Sequence, residues 1–113
     1  MRAINSTKNQ ELVSRLAIAD NLFARMKGLL GRSALAEGEG LMIVPCKGIH
    51  TFGMKFPIDA VFLDSRNIVI AIRKGLVSNR LTRIYPKAAS VLELPAGTIE
   101  ATATKIGDEI KVA

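Results

Sequence analysis

A chain of 113 residues with 49% apolar residues is expected to form one domain, residues 1–113, with its own core, because disordered chains are far more polar. Its one cysteine excludes an internal disulfide, and its apolar runs are far too short to span a bilayer. The net charge of +6 is compatible with binding to phosphates or to acidic partners. The first ten residues are too polar for a signal peptide, so we expect a soluble cytoplasmic protein unless a leader was removed.

The N-terminal third predicts a strand followed by a short helix. Residues 11–19 alternate in polarity, as a half-buried strand does. Asp20 is placed to accept a hydrogen bond from the first turn of a helix, in which leucine and methionine recur at helical spacing. Gly31 is placed to end that helix. A short apolar strand over residues 40–44 then runs up to a proline.

In the C-terminal half, strands are expected over residues 58–63, 68–72, 90–94 and 109–112. The first two are apolar on both faces, as in central strands covered on each side, and Asp64 to Asn67 between them have turn chemistry. Residues 98–106 fit either a short helix or a strand. Together these elements predict an α+β fold that is mainly antiparallel β: a small curled sheet, barrel- or sandwich-like, with one or two short helices.

Residues 46–59 concentrate the chemistry of the chain. They hold its only cysteine and only histidine, and with Phe62 the region has three of the four phenylalanines. If residues 50–55 are extended, the histidine, a phenylalanine and a methionine share one face. We therefore predict a ligand-binding or protein-interaction site here, whose partner is an unknown small molecule or protein. Its candidate residues are Arg32, Cys46, His50, Thr51, Phe52, Met54 and Asp59.

Asp59 needs a hydrogen-bond donor, because it alternates with apolar residues on its predicted strand and a buried carboxylate without partners is costly. The candidate donors are His50, Thr51, Arg25 or Arg32, and backbone amides. His50 is only nine residues away, which favours its proximity to Asp59. Glu93 raises the same question, since it lies between two leucines.

An enzyme is the alternative interpretation of the same residues. Cys46, His50 and Asp59 are the residue types of a catalytic triad, and a neighbouring lysine and histidine are able to lower the pKa of a thiol. No paired ligand spacing predicts a metal site, and no motif predicts a cofactor.

Residues 66–87 form a basic stretch with six lysines and arginines and no acidic residue. Such a stretch attracts phosphates, but a solvated strand face has the same composition. Aromatic content is only 4%, which argues against a stacking platform for single strands. Binding to nucleic acid is therefore expected to be weak and nonspecific at most, and sensitive to salt.

Several segments of this chain are similar to a known family. They are RMKGLLGR (25–32), GLMIVPCKGIHTFGMKFPIDAVFLD (40–64) and VLELPAG (91–97), closed by GDEI. In this order, from about residue 13 onward, the chain resembles the prokaryotic family known as domain of unknown function 192. The resemblance implies a small, mostly-β domain without an established activity, some of whose relatives look exported. Residues 76–80 depart from the family, which often has a proline there.

Overall fold

Eight strands and two short helices form the structure, a computed structural model that describes residues 1–113. The strands are, in chain order, β1 Ala3–Asn5, β2 Gln10–Val13, β3 Arg15–Ala19, β4 Glu39–Ile43, β5 Ile58–Leu63, β6 Val69–Leu76, β7 Ser90–Pro95 and β8 Ile110–Val112. The helices are α1 Leu22–Lys27 and α2 Thr98–Thr102.

The strands form two sheets. The small sheet has the order β2-β1-β8, and the large sheet has the order β3-β4-β7-β5-β6. All neighbouring strands are antiparallel except β3 and β4, which are parallel. The predicted α+β fold, mainly antiparallel, is confirmed, and the large sheet stays open with β3 and β6 at its edges.

The apolar residues of β5 alternate between two clusters on opposite faces of the large sheet. Ala60 and Phe62 belong to the first cluster, the α1-side core, which also contains Leu29 from the turn after α1. Val61 and Leu63 belong to the second cluster, the inter-sheet core, which includes residues of all three small-sheet strands. Burial on both sides explains why the predicted strand 58–63 is apolar at nearly every position.

Three strands of the large sheet, β4, β5 and β7, agree with the sequence prediction to within one residue at each end. Strand 58–63 is confirmed as predicted, while 40–44 and 90–94 become β4 and β7 with slightly shifted ends. The strand predicted over 68–72 corresponds to β6, which extends four residues further. The prediction that this strand lies in the centre of a sheet is wrong, because β6 is an edge strand on which Ile70 and Ile72 are only partly buried.

The N-terminal elements differ more. The single strand predicted over 11–19 breaks at Ser14, where the N–H groups of Ser14 and Arg15 both donate to the carbonyl of Gly38, at 3.0 and 2.9 Å. The break moves the chain from the small sheet into the large one. The predicted helix cap, Asp20, is wrong: the side chain of Asn21 accepts the N–H of Ala24 at 2.9 Å.

The helix also ends earlier than predicted. It stops at Gly28, which has a φ of +49° that side chains rarely adopt, instead of running on to Gly31. Ending there lets Leu29 turn into the α1-side core. The ambiguous segment 98–106 begins as the helix α2, over Thr98–Thr102.

Candidate functional site

A cavity of about 230 Å³ lies beneath α1, on the α1-side face of the large sheet. Its walls come from α1 and the turn after it, from the end of β4, from the loop that follows β4, and from β7. Leucine, isoleucine and methionine side chains form most of the apolar lining. The lysine, arginine, histidine, cysteine and acidic side chains that line it are Arg25, Lys27, Cys46, His50 and Glu93.

Glu93 is the buried acidic group of this cavity. It lies in β7 opposite Leu41 of β4 and Ala60 of β5, so it faces the α1-side core. Its side chain is 3% exposed, and no group of the chain donates a hydrogen bond to its carboxyl. Burial raises the pKa of Glu93 to about 7, because a charge is poorly solvated there. Alternation in β7 therefore places a carboxyl where an apolar side chain is usual.

Arg25 approaches the cavity from α1. Its Nε is buried and has no hydrogen-bond partner, although a guanidinium keeps its charge at any ordinary pH. It is not bonded to Glu93: the four ion pairs of the chain involve neither residue. The cavity thus contains an acidic and a basic group that leave each other unpaired.

Cys46 also lines the cavity. Its thiol donates a hydrogen bond to the carbonyl of Gly48 at 3.1 Å. Burial raises the pKa of the Cys46 thiol, and the charge of Glu93 raises it further, while the charge of Arg25 acts in the opposite direction. The thiol is therefore protonated at neutral pH, which makes it a poor nucleophile.

His50 also lines the cavity, but its side chain is exposed. It stacks on Phe52, with ring centroids 5.4 Å apart and the ring planes at 24°. Met54, in contrast, is only 6% exposed and belongs to the α1-side core. The extended conformation considered for 50–55 is not formed, because the N–H of Met54 donates to the carbonyl of Thr51 and closes a turn.

Thr51 is buried outside the cavity. Its hydroxyl donates to the carbonyl of Val77 at 2.6 Å and accepts the N–H of Arg80 at 2.8 Å. These bonds fasten the loop after β6 to the segment that carries His50. Thr51 therefore stabilises the fold, whereas the side chain of the neighbouring His50 forms none of these hydrogen bonds.

Asp59 lies on the opposite face of the large sheet from Glu93. It stands opposite Leu94, and its carboxylate accepts the N–H groups of Gly75, Gly97 and Ile99 at 2.9, 3.1 and 2.9 Å. The donors are therefore backbone amides, one of the predicted possibilities. The favoured pairing of His50 with Asp59 is wrong.

Of the candidate site residues, the structure brings Cys46, His50 and Met54 to one cavity. It does not bring Asp59 there, so the triad of the enzyme interpretation is not assembled. Arg32 also lies elsewhere, with its guanidinium bonded to both carboxylate oxygens of Glu39 at 3.1 and 3.2 Å.

The sequence does not predict Glu93 and Arg25 as members of the site. The signal for Glu93 was present: a glutamate interrupts the apolar run VLELP, in which both faces of the strand are buried. Arg25 carried no comparable signal, because four of the six residues of α1 are apolar and their pattern does not indicate which side of the helix faces the core.

The basic stretch 66–87 does not form one patch. Arg66 lies in the turn before β6 and Arg80 lies beyond its end, so the eight-residue strand, at about 3.3 Å per residue, separates them. Lys74 bonds Glu100 at 2.9 Å, and the guanidinium of Arg83 lies 5.2 Å from the ring centre of Tyr85.

Comparison with known proteins identifies relatives over almost the whole chain. The model of the family DUF192, "Uncharacterized ACR", matches residues 3–112. A UPF0127 protein of Thermococcus sibiricus is 34% identical over 95% of this chain and 71% of its own length. A UPF0127 protein of Pyrococcus abyssi is 32% identical over 96% of this chain and 94% of its own length.

Two solved structures share the fold. A protein of unknown function from Novosphingobium aromaticivorans has a TM-score of 0.84 at 20% identity and covers 98% of this chain and 82% of its own. A protein from Sinorhizobium meliloti, provisionally described as a transcription regulator, has a TM-score of 0.80 at 22% identity, covering 97% and 89%. Neither helix of the present chain is long and apolar enough to cross a membrane.

Proposed function

This chain belongs to the uncharacterised family DUF192, and we propose that it binds a small molecule in the cavity beneath α1. The observation that carries the proposal is Glu93, which is 3% exposed, faces the cavity and has no hydrogen-bond donor within the chain. A buried carboxyl without a partner destabilises a fold by several kcal/mol when it is charged. A ligand that donates a hydrogen bond to Glu93 offsets this cost.

The size of the cavity limits the ligand. Its volume of about 230 Å³ corresponds to about eight water molecules, at about 30 Å³ for each in the liquid. Drug-sized ligands occupy pockets of about 300–1,000 Å³. The ligand is therefore a small metabolite-sized molecule, held by apolar walls and oriented by few polar groups.

Amide chemical shifts in NMR spectra, recorded with a library of small polar compounds, test the proposal. Binders should shift Ile43, Cys46 and Glu93. Cys46→Met fills part of the cavity and should abolish these shifts, and His50→Ala should weaken binding at the mouth. Glu37→Gln is the matched control, because Glu37 is an exposed carboxylate outside the cavity. A library without any compound that shifts the cavity residues contradicts the proposal.

Binding to another protein is the second candidate function, and one observation favours it. Helix α1 has no buried residue, and its three large apolar side chains, Leu22, Phe23 and Met26, are 68%, 77% and 70% exposed. Adjacent exposed apolar side chains mark interaction surfaces. Sedimentation at increasing concentration tests whether a second copy is the partner: Phe23→Gln should weaken self-association, and a monomer at every concentration contradicts it.

The remaining interpretations receive less support. A triad enzyme requires Asp59 near Cys46, and Asp59 is used by backbone amides on the other sheet face. The name of the S. meliloti structure suggests a nucleic-acid role, but the cations of 66–87 are distributed from the turn before β6 to the segment beyond its end. Weak, nonspecific nucleic-acid binding and a cytoplasmic location stay predictions.

A further inference from the structure

We infer that the ligand of the cavity beneath α1 is a small amino acid, or another molecule that carries one ammonium and one carboxylate group. This inference rests on the proposed function, because it assigns the chemical class of the ligand for the same cavity. It is carried by two groups of opposite charge that line the cavity and form no ion pair within the chain, Glu93 and Arg25.

The carboxyl of Glu93 selects a donor. When ionised it only accepts hydrogen bonds, and none reaches it from the chain. An ammonium group supplies three N–H donors and the opposite charge, whereas a second carboxylate in its place would be repelled. The floor of the cavity is therefore complementary to an amine.

The guanidinium of Arg25 selects an acceptor. Arg25 lines the cavity and forms no ion pair within the chain, and arginine holds planar carboxylates with two parallel hydrogen bonds. An amine alone would leave this cation unpaired, and an acid alone would leave Glu93 unpaired. A molecule with both groups satisfies both residues and adds no net charge to the cavity.

The two charges are close enough to serve one small ligand. Both residues line the same cavity, and Cys46 lines it with them. The volume of about 230 Å³ leaves room for a short carbon chain between the ligand's two ends. Leu29, Ile43 and Met54 line the cavity and would contact that chain.

Matched ligand series test the inference. γ-Aminobutyrate is compared with butyrate, butylamine and 1,4-butanediol, and β-alanine with propionate, propylamine and 1,3-propanediol. Affinities come from calorimetry, and the site comes from amide shifts of residues that line the cavity. We expect at least one amino acid to bind tenfold or more tightly than its acid, amine and diol.

Two variants assign the ends of the ligand. In Glu93→Gln the amino acid should bind no more tightly than the acid of equal length. In Arg25→Met it should bind no more tightly than the amine. Glu37→Gln should retain the full preference, because it removes an exposed charge elsewhere.

Proton release supplies a measurement that needs only the folded wild type. Burial raises the pKa of Glu93 to about 7, and an adjacent ammonium lowers it again. Binding at pH 7 should therefore release protons, seen by calorimetry in buffers of different ionisation enthalpy. Arg25, Lys27, Cys46 and His50 also line the cavity, so the release is compared with that of Glu93→Gln.

The failures are distinguishable. If an acid, amine or diol binds in the cavity as tightly as the amino acid, the ligand class is wrong and the proposed function stands. If neither these series nor the general library shifts any cavity residue, both are wrong.

Discussion

Asp59 in β5 and Glu93 in β7 are buried carboxyl groups on neighbouring strands that face opposite sides of the large sheet. Asp59 is opposite Leu94 and Glu93 is opposite Ala60, so a single step of register separates the two environments. Asp59 accepts three backbone N–H groups, whereas Glu93 accepts none. The fold itself uses the first carboxyl, and the second is available to a ligand.

The free energy of unfolding should fall as the pH rises from about 4.5 to about 7. Burial raises the pKa of Glu93 from 4.5 to about 7, so in this window the folded state binds more protons than the unfolded state. The loss is about 3 kcal/mol, fully developed above the folded-state pKa and absent below the unfolded one. Urea unfolding between pH 4 and pH 8 measures it.

The comparison with Glu93→Gln isolates this carboxyl from Cys46 and His50, which line the same cavity. The variant should lose the decline between pH 4.5 and 7, and Glu37→Gln should keep it. Equal pH dependence in the wild type and Glu93→Gln would show that Glu93 is not the titrating group.

Asp59→Ala should destabilise the domain strongly. The substitution leaves three N–H groups without an acceptor, and each buried unpaired group costs about 1–3 kcal/mol. We therefore expect a loss of about 3 kcal/mol or more, and a smaller loss for Asp59→Asn, which keeps one acceptor oxygen. Denaturant unfolding measures both. Asp20→Ala, at an exposed position, is the control, and a similar small loss in all three variants contradicts the prediction.

Thr51 and His50 should respond in opposite ways although they are neighbours in the chain. Thr51→Val removes a hydroxyl that bonds Val77 and Arg80, so we expect a loss of about 1–3 kcal/mol. His50→Ala changes an exposed side chain, and the free energy of unfolding should stay within about 0.5 kcal/mol. Chemical denaturation of the two variants measures both losses. A larger loss for His50→Ala than for Thr51→Val would contradict the burial of Thr51 and the exposure of His50.

Cys46 should react slowly with a thiol reagent such as Ellman's reagent at pH 7.5. Burial raises the pKa of its thiol, and the thiolate is the reactive form. The folded chain should therefore react several-fold more slowly than the chain in urea. Because the charge of Glu93 raises this pKa and that of Arg25 lowers it, Glu93→Gln should speed the reaction and Arg25→Met should slow it. A folded chain that reacts faster than the unfolded one would contradict this.

Local pattern determined much of this protein. The two-sided apolar run of residues 58–63 and the turn chemistry of Asp64 to Asn67 predicted β5 and the hairpin into β6, since strand period and turn preference depend on adjacent residues. The sequence also indicated that Asp59 needs a donor. The motifs of the chain also indicated the family to which it belongs.

Only the tertiary structure decided what the polar side chains meet. The donors to Asp59 come from Gly75, Gly97 and Ile99, 16 to 40 residues away, and their arrival depends on how β5, β6 and β7 align. The same alignment turns Glu93 toward the α1-side core and a cavity that no local pattern describes. Periodicity shows which residues share a face, but strand register, set by the packing of the whole chain, decides which partners that face receives.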